Sequence, residues 1–326
     1  MRIGSNNIES DKGREFRPRY NYLEFYRRIL GTPLVERKYP WFVTYCPFHN
    51  DKKTPNLNVN VLSGNYKCFA CSAAGGAYNF IVQELHNGRE INIPEAVTDP
   101  NQIKQIDDYE NSREYSKELD EITLLMEARR ADSAHLALFQ QPLALQMIQR
   151  DRGLTIESIY KWKLGFLQGA VTIPIPDITG KIANLKFHKK FSTDHAKNQL
   201  FPWEAVVNNR SPYVLLVEGE FDMMICRQNG FNACTQTFGA NTWTDEFSKF
   251  VRHKTTYIAY DNDQPGKDAA INTGRSIWKE HGLVYVLQWP DFMKNKEDHI
   301  DFFVKYGQTA EDYKKLLSKA VNIMNI

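Results

Sequence analysis

Tyr213-Val214-Leu215-Leu216-Val217 runs without interruption into Glu218-Gly219-Glu220-Phe221-Asp222, and further on Thr256-Tyr257-Ile258-Ala259-Tyr260 runs into Asp261-Asn262-Asp263. A short apolar run closed by a glycine or a polar cluster is the pattern of a strand buried on both faces. Ala233–Phe238 and Val284–Gln288 repeat it, with helical stretches at about 220–229, 243–252 and 265–280 in between. Strands alternating with helices imply a small parallel α/β sheet. In such a sheet, functional groups gather beyond the carboxyl ends of the strands. If the first and third strands are neighbours, Glu218, Asp261 and Asp263 converge at one edge. Carboxylates held that close raise one another's pKa unless a cation neutralises them. A hard divalent ion, magnesium or manganese, suits oxygen donors and leaves positions open for phosphates. Asp222, one helical turn past Glu218, reads as a fourth ligand or as a partner of the ligands. Gly219 permits a tight strand-to-helix turn, and Gly266-Lys267 offers backbone donors and a charge at the next helix start. Helix capping accounts for a single Asp. It does not account for a Glu at one strand end together with Asp-x-Asp at another.

Towards the N-terminus, Cys46-Pro47-Phe48-His49 and Cys68-Phe69-Ala70-Cys71 form two pairs, each with a two-residue gap, separated by 18 residues. A two-residue gap lets both ligands of a turn face one ion, and two such turns complete a tetrahedron. Cys46, His49, Cys68 and Cys71, with no acid beside them, make a closed, structural zinc site, one per chain. Trp41–Tyr45, Leu57–Val61 and Tyr66–Phe69 read as short strands around it, and 77–86 as a helix. So small a ribbon cannot bury enough surface to fold unaided, so zinc binding and folding are coupled. Tyr45, Tyr66 and Lys67 suit stacking on single-stranded nucleic acid, while Phe48 and Phe69 read mainly as core.

The five cysteines are an odd number, and three fall within residues 46–71, which argues against a secreted disulfide framework. Cys226 and Cys234 sit in apolar surroundings and read as core. No apolar run approaches the roughly 18 residues of a membrane span, and the polar start, Met1 to Lys12, has no secretory pattern. These features place the chain in the cytoplasm. The net charge of +2 is uninformative, but its distribution is not. Residues 12–38 hold eight Lys/Arg against three Glu, and 181–200 hold Lys181, Lys186, Lys189, Lys190 and Lys197 against one Asp. Residues 95–121 hold nine acids against three bases. Basic tracts on either side of an acidic connector fit localised contacts with a polyanion. The rest reads as a helix over 20–30, a polar linker over 87–118, helices over about 118–149 broken near Pro142, a further helical segment over 153–167, and a hairpin pairing 171–176 with 182–188.

These residues resemble a family. Cys46-Pro47-Phe48-His49-Asn50, Lys53-Thr54-Pro55, Cys68-Phe69-Ala70-Cys71 and Gly75-Gly76 are similar to the zinc-binding domain of DnaG-type bacterial primases. Leu215 to Asp222, Tyr260-Asp261-Asn262-Asp263 and Gly266-Lys267-Asp268-Ala269-Ala270 are similar to the TOPRIM domain that primases share with topoisomerases and some nucleases. Arg152-Gly153-Leu154, Leu164-Gly165-Phe166 and Leu200 to Ala205 resemble the polymerase-domain segments that precede TOPRIM in these primases.

The resemblance implies synthesis of short RNA primers from ribonucleoside triphosphates on single-stranded DNA, by metal-dependent nucleotidyl transfer during replication. It implies a multidomain α+β and α/β fold: an antiparallel zinc ribbon, then a mixed α+β subdomain joined to a TOPRIM-like α/β sheet. The implied divisions are 1–86, an N-terminal extension and zinc-binding domain; 87–118, an acidic linker; 119–212, the first part of the RNA polymerase domain; 213–290, the TOPRIM subdomain; and 291–326, a C-terminal helical segment. It makes Glu218, Asp222, Asp261 and Asp263 the metal-binding acids, with Glu218, Asp261 and Asp263 catalytic. Lys186 and Lys197 stand where the family keeps residues for template and nucleotide, with Lys197 matching either of two family lysines. Either Asp298 or Asp301 matches a late acidic motif. The short polymerase region, and the lack of room for a helicase-binding domain or a fused helicase motor, suggest a phage or mobile-element form served by a separate replicative helicase. The rival readings are a TOPRIM nuclease and a non-catalytic module that binds DNA or a helicase.

Overall fold

The computed structural model describes residues 19–31, 33–50, 54–86, 94–188, 196–207 and 211–326. The candidates Lys189 and Lys190 lie outside the described residues. Two compact units divide the chain, Met1–Met126 and Glu127–Ile326.

The first unit opens with α1 (Tyr22–Leu30), which Asn21 caps through the Glu24 amide and Gly31 ends at φ 58. Five antiparallel strands follow in chain order: β1 (Val35–Lys38), β2 (Trp41–Thr44), β3 (Leu57–Asn60), β4 (Tyr66–Cys68) and β5 (Ala74–Gly75). Alternate residues of β3 and β4, Leu57, Val59, Tyr66 and Cys68, turn to one core with Phe25, Tyr26 and Phe80. Phe80 belongs to α2 (Ala77–His86) and packs edge-on against Tyr26, Phe48 and Tyr66 at 5.0–5.3 Å between ring centres. Burying a large apolar side chain is worth about 1.5–3 kcal/mol, so this cluster is a modest core for so many turns. The sequence reading missed β1 because Val35-Glu36-Arg37-Lys38 is exposed throughout and has no apolar alternation.

The segment expected to be a linker is instead largely helical: α3 (Pro100–Glu110) starts under an Asp99 cap, and α4 (Arg113–Leu138) follows. Its polar composition hid a buried polar joint. The carboxylate of Glu118, only 5% exposed, accepts hydrogen bonds from Asn60 Nδ2, Ser63 Oγ, Asn65 Nδ2 and Tyr109 OH at 2.5–2.8 Å. A buried charge is tolerated when it is this fully hydrogen-bonded. Lys67 pairs with Glu121 at 2.7 Å beside it.

The second unit holds the rest of α4, then α5 (Pro142–Asp151) and α6 (Ile156–Lys161). The helical segment expected over 153–167 stops early, because Gly165–Leu167 is extended and forms β6. A side chain at Gly165 would meet Ala134 of α4 at 2.6 Å, so strand and helix touch only because this residue is glycine. With β7 (Ala170–Pro176) and β8 (Ile182–Phe187), β6 makes a three-stranded antiparallel sheet that contains the expected hairpin.

The second sheet is built from β9 (Leu200–Phe201), β10 (Tyr213–Val217), β11 (Ala233–Gln236), β12 (Thr255–Ala259), β13 (Val284–Val286) and β14 (Val321–Asn322), in the order β14-β13-β12-β10-β11-β9. Its four central strands are parallel, and the two outer ones antiparallel. The helices are α7 (Glu220–Gln228), α8 (Asp245–Val251), α9 (Gln264–Lys279) and α10 (Ala310–Leu317). Leu215, Val217 and Ala259 face a core shared with α5, α6, α7, α10 and β7, while Val214, Leu216 and Ile258 face one shared with α8 and α9. Burial on both faces is what the unbroken apolar runs implied. Cys226 and Cys234 lie fully within these cores. The C-terminal segment, expected to be helical only, also returns a strand, β14, to the sheet edge.

Candidate functional site

Strands β10 and β12 pair in parallel register from Tyr213 with Thr255 to Val217 with Ala259. Both therefore end at the same level, and Glu218 and Asp261 leave the sheet side by side. The Asp261 amide points at Glu218 Oε2 across 3.4 Å. Asp222 sits one turn into α7, 8% exposed. A Cβ at Gly219 would lie 2.8 Å from its Oδ2, so glycine lets this carboxylate lie over the strand-to-helix turn. Gly266 has a similar reason: a Cβ there would meet the Asp261 carbonyl at 2.4 Å.

The middle residue of Asp261-Asn262-Asp263 has a job that sequence reading missed. The Asn262 amide donates to the Glu297 carbonyl at 3.0 Å, its carbonyl accepts from the Lys296 amide at 2.9 Å, and its side chain bonds the Met293 and Lys294 carbonyls. The loop before Asp298 is thereby pinned to the end of β12. Of the two late acids, Asp298 faces the cluster, since its charge acts on Asp261. Asp301 is turned to the Asp298 amide and Lys305.

Electrostatics follow from this crowding. Burial, then the charges of Asp222, Glu218, Asp298 and Asp263, push Asp261 up to about 8. Burial and then Asp222 push Asp298 up to about 6. Glu218 is raised chiefly by burial, against the help of the Asp261 amide. Asp261 Oδ1 is buried with no hydrogen-bond partner among the described residues. A buried carboxylate oxygen without a donor, in a set that resists ionising together, fits a hard divalent cation. Asp263 is split between roles: its Oδ1 caps α9 by accepting from the Gly266 amide at 2.8 Å. That cap also corrects an expectation. The Gly266 and Lys267 amides both bond to Asp263, so neither is a free donor for phosphate.

The lysines divide. Lys186 donates to Glu220 Oε1 at 2.5 Å and to the Thr237 carbonyl at 2.8 Å. It neutralises a carboxylate whose own pKa burial raises and Lys186 lowers. Sequence reading had assigned Glu220 nothing, since only the fold brings β8 against the start of α7. Lys197 is exposed. Lys267 is exposed at a cavity of about 200 Å³ lined also by Asp261, Asn262, Gln288 and Trp289.

In the first unit, the ligand atoms of Cys46, His49, Cys68 and Cys71 all lie within 4.8 Å of one another. The Cys46 and Cys71 sulfurs are 3.8 Å apart, and Cys68 Sγ is 3.9 Å from His49 Nδ1. A tetrahedron with Zn–S bonds of about 2.3 Å has edges of ~3.8 Å. Backbone amides of Phe48, and of Ala70 and Cys71, point at the Cys46 and Cys68 sulfurs, as the tight turns require. Burial nevertheless holds both thiols above their usual range. A cation is what would ionise them, and the donor set fits zinc. Phe48 joins the core as expected, but Phe69 does not: it is 63% exposed, with Lys67 Nζ 5.4 Å from its ring centre and 4.6 Å from that of Trp41.

Residues 33–115 match the family described as CHC2 zinc finger, and residues 215–302 match the one described as Toprim-like. The chain is 27% identical over 297 residues to the DNA primase of Escherichia coli, covering 70% of this chain and 49% of that protein. It is 26% identical over 371 residues to the DNA primase of Buchnera aphidicola, covering 94% and 62%. It thus spans about half the length of the first of these relatives. Among solved structures, the zinc-binding and RNA polymerase domains of the Aquifex aeolicus primase share its fold at TM-score 0.52 and 19% identity, over 93% of this chain and 83% of that one. A DnaG primase catalytic domain bound to single-stranded DNA does so at 0.51 and 20%, over 62% and 79%. The chain thus carries a match to the CHC2 zinc finger followed by a match to the Toprim-like domain, and it is similar in sequence to bacterial DNA primases and in fold to solved primase structures.

Proposed function

We propose that this chain is a DNA primase that makes short RNA primers from ribonucleoside triphosphates on single-stranded DNA during replication, in a bacterial or infected-host cytoplasm. The observation that carries the reading is the meeting of Glu218, Asp222, Asp261 and Asp298 at the ends of two adjacent parallel strands, with Asp261 held up to about 8. Magnesium or manganese bound there would supply the positive charge that lowers the pKa of an attacking 3′-hydroxyl and steadies a departing pyrophosphate. Glu218, Asp222 and Asp261 would hold it through carboxylate oxygens, with Asp263 offering the oxygen not used in capping. Asp298 adds negative charge to the same set. Lys267, exposed beside Asp261, suits a phosphate, and Lys197 suits the template backbone. Lys186 instead steadies Glu220 at the foot of α7.

Zinc in the Cys46, His49, Cys68 and Cys71 cluster would organise the ribbon that carries Lys67 and Phe69, a pair suited to stacking on an unpaired base. No helix among the described residues is long and apolar enough to cross a membrane. A separate replicative helicase is the expected partner.

The test is incubation of the zinc-loaded chain with magnesium, labelled ATP and GTP, and random-sequence single-stranded DNA. Short labelled RNA is the expected product. Shortened DNA without RNA would mean a nuclease, and binding without either product would mean a non-catalytic module.

A further inference from the structure

His299 is wholly buried, at the start of the helical turn that follows Asp298. Its Nε2 is 2.8 Å from the hydroxyl of Tyr313, itself wholly buried on α10. Its Nδ1 faces Asp222 Oδ1 at 3.7 Å. Neither of those two facing atoms has a hydrogen-bond partner among the described residues. Trp289 packs edge-on against the imidazole at 5.0 Å, and Phe302 against the Tyr313 ring at 5.3 Å, so neither ring has room to swing away. Asp222 Oδ2 lies on the other side, over Gly219.

Two buried, unpartnered polar atoms of opposite kind, facing one another a little beyond bonding distance, are costly left as they are. One arrangement satisfies both. Burial holds the Tyr313 phenol well above its usual range, so it keeps its proton and can donate it to Nε2. Nδ1 then carries the hydrogen and aims it at Asp222. The opposite tautomer would set a nitrogen lone pair against a carboxylate, which is repulsive. Carboxylates and histidines around a metal are commonly oriented by such outer hydrogen bonds, whose loss weakens metal affinity about 10- to 100-fold.

We infer that His299, held by Tyr313, is a positioning residue for Asp222, fixing one carboxylate oxygen so that the other is presented to the cation of the carboxylate cluster. The role rests on the reading of that cluster as a cation site, and not on which reaction the cation serves. It does not touch substrate.

The experiment is manganese binding to the full zinc-loaded chain, followed by electron paramagnetic resonance, with Asp261→Asn marking the cluster's own signal. His299→Asn keeps a donor near Nδ1, whereas His299→Gln keeps one only near Nε2. We expect His299→Gln to raise the manganese dissociation constant 10- to 100-fold, and His299→Asn to stay within about threefold of the parent. Tyr313→Phe, which removes one hydroxyl and leaves the ring packing, should fall between them. Thermal midpoints of the Asn and Gln variants should be alike, since both put a polar amide in the same space. Equal manganese affinity in the Asn and Gln variants would overturn the positioning role and leave His299 as core packing. Should either variant fail to fold, Tyr313→Phe decides: unchanged affinity there overturns the role as well. Absence of manganese binding by the parent chain would overturn the cation reading itself, a separate outcome.

Discussion

At the zinc cluster, four donors come from two tight turns separated by 18 residues, and each turn aims its amides at its own sulfur. At the acidic cluster, the donors come from three places, Glu218 with Asp222, Asp261 with Asp263, and Asp298, and no single turn supplies the geometry. Soft donors close around an ion and leave nothing open; hard donors line a sheet edge and leave room for a ligand. The difference predicts opposite responses to losing the metal. The ribbon has little else to hold it, whereas the α/β unit keeps two apolar cores whether or not a cation sits at its edge.

The sharpest way to break that contrast is to remove zinc. Structural zinc is worth on the order of 10 kcal/mol, so Cys68→Ser should abolish the one zinc per chain found by elemental analysis. It should also expose residues up to Met126 to protease while those from Glu127 stay resistant. A zinc-free ribbon that kept its aromatic packing around Phe80 would reverse the argument.

At the other cluster, Asp261→Asn and Glu218→Gln keep size but remove charge. Loss of several kcal/mol of transition-state stabilisation should lower primer synthesis on the order of a thousandfold. Single-strand binding and the thermal midpoint should hold. Near-parental primer synthesis would locate the chemistry elsewhere.

The pH dependence sharpens the comparison. Asp261 and Asp298 have folded-state values raised to about 8 and about 6. A raised acid favours folding while protonated, so its contribution is present below about pH 4 and is lost as pH climbs through the folded value. With zinc in place and magnesium withheld, stability should therefore fall by a few kcal/mol between about pH 4 and pH 8. Magnesium should restore it at the upper end, and Asp261→Asn should flatten the fall. Calorimetry over that range would show it, and a stability rising with pH would contradict the crowding described above.

The lysines give the smallest effects. Lys197→Ala should flatten the salt dependence of single-strand binding by about 0.7 log unit. Lys186→Ala should instead cost about 2–3 kcal/mol of stability, because it leaves Glu220 buried without its partner. A changed salt slope with unchanged stability for Lys186 would return it to the template-binding set.

Local order was legible. The unbroken apolar runs gave away doubly buried strands, and 213–217 and 77–86 emerged at their observed bounds. The ligands of the zinc turns could be read because two-residue gaps carry their own geometry. What stayed hidden was long-range or polar. Asn262 looks like filler until its bonds to the 293–297 loop are seen, and Glu118 looks like part of a solvated acidic stretch until four donors surround it.

By itself, then, the sequence determined the four central strands of the α/β sheet, which side chains can ligate, and that acids leave the sheet where strands end. These depend on periodicity and on spacing within a turn. Only the tertiary structure decided that Asp298 rather than Asp301 faces the cluster, that Lys186 is bound to Glu220, and that His299 and Asp222 face each other. Each of those choices depends on how distant segments pack, and burial beside other carboxylates turns an ordinary carboxylate into one that resists ionising without a cation.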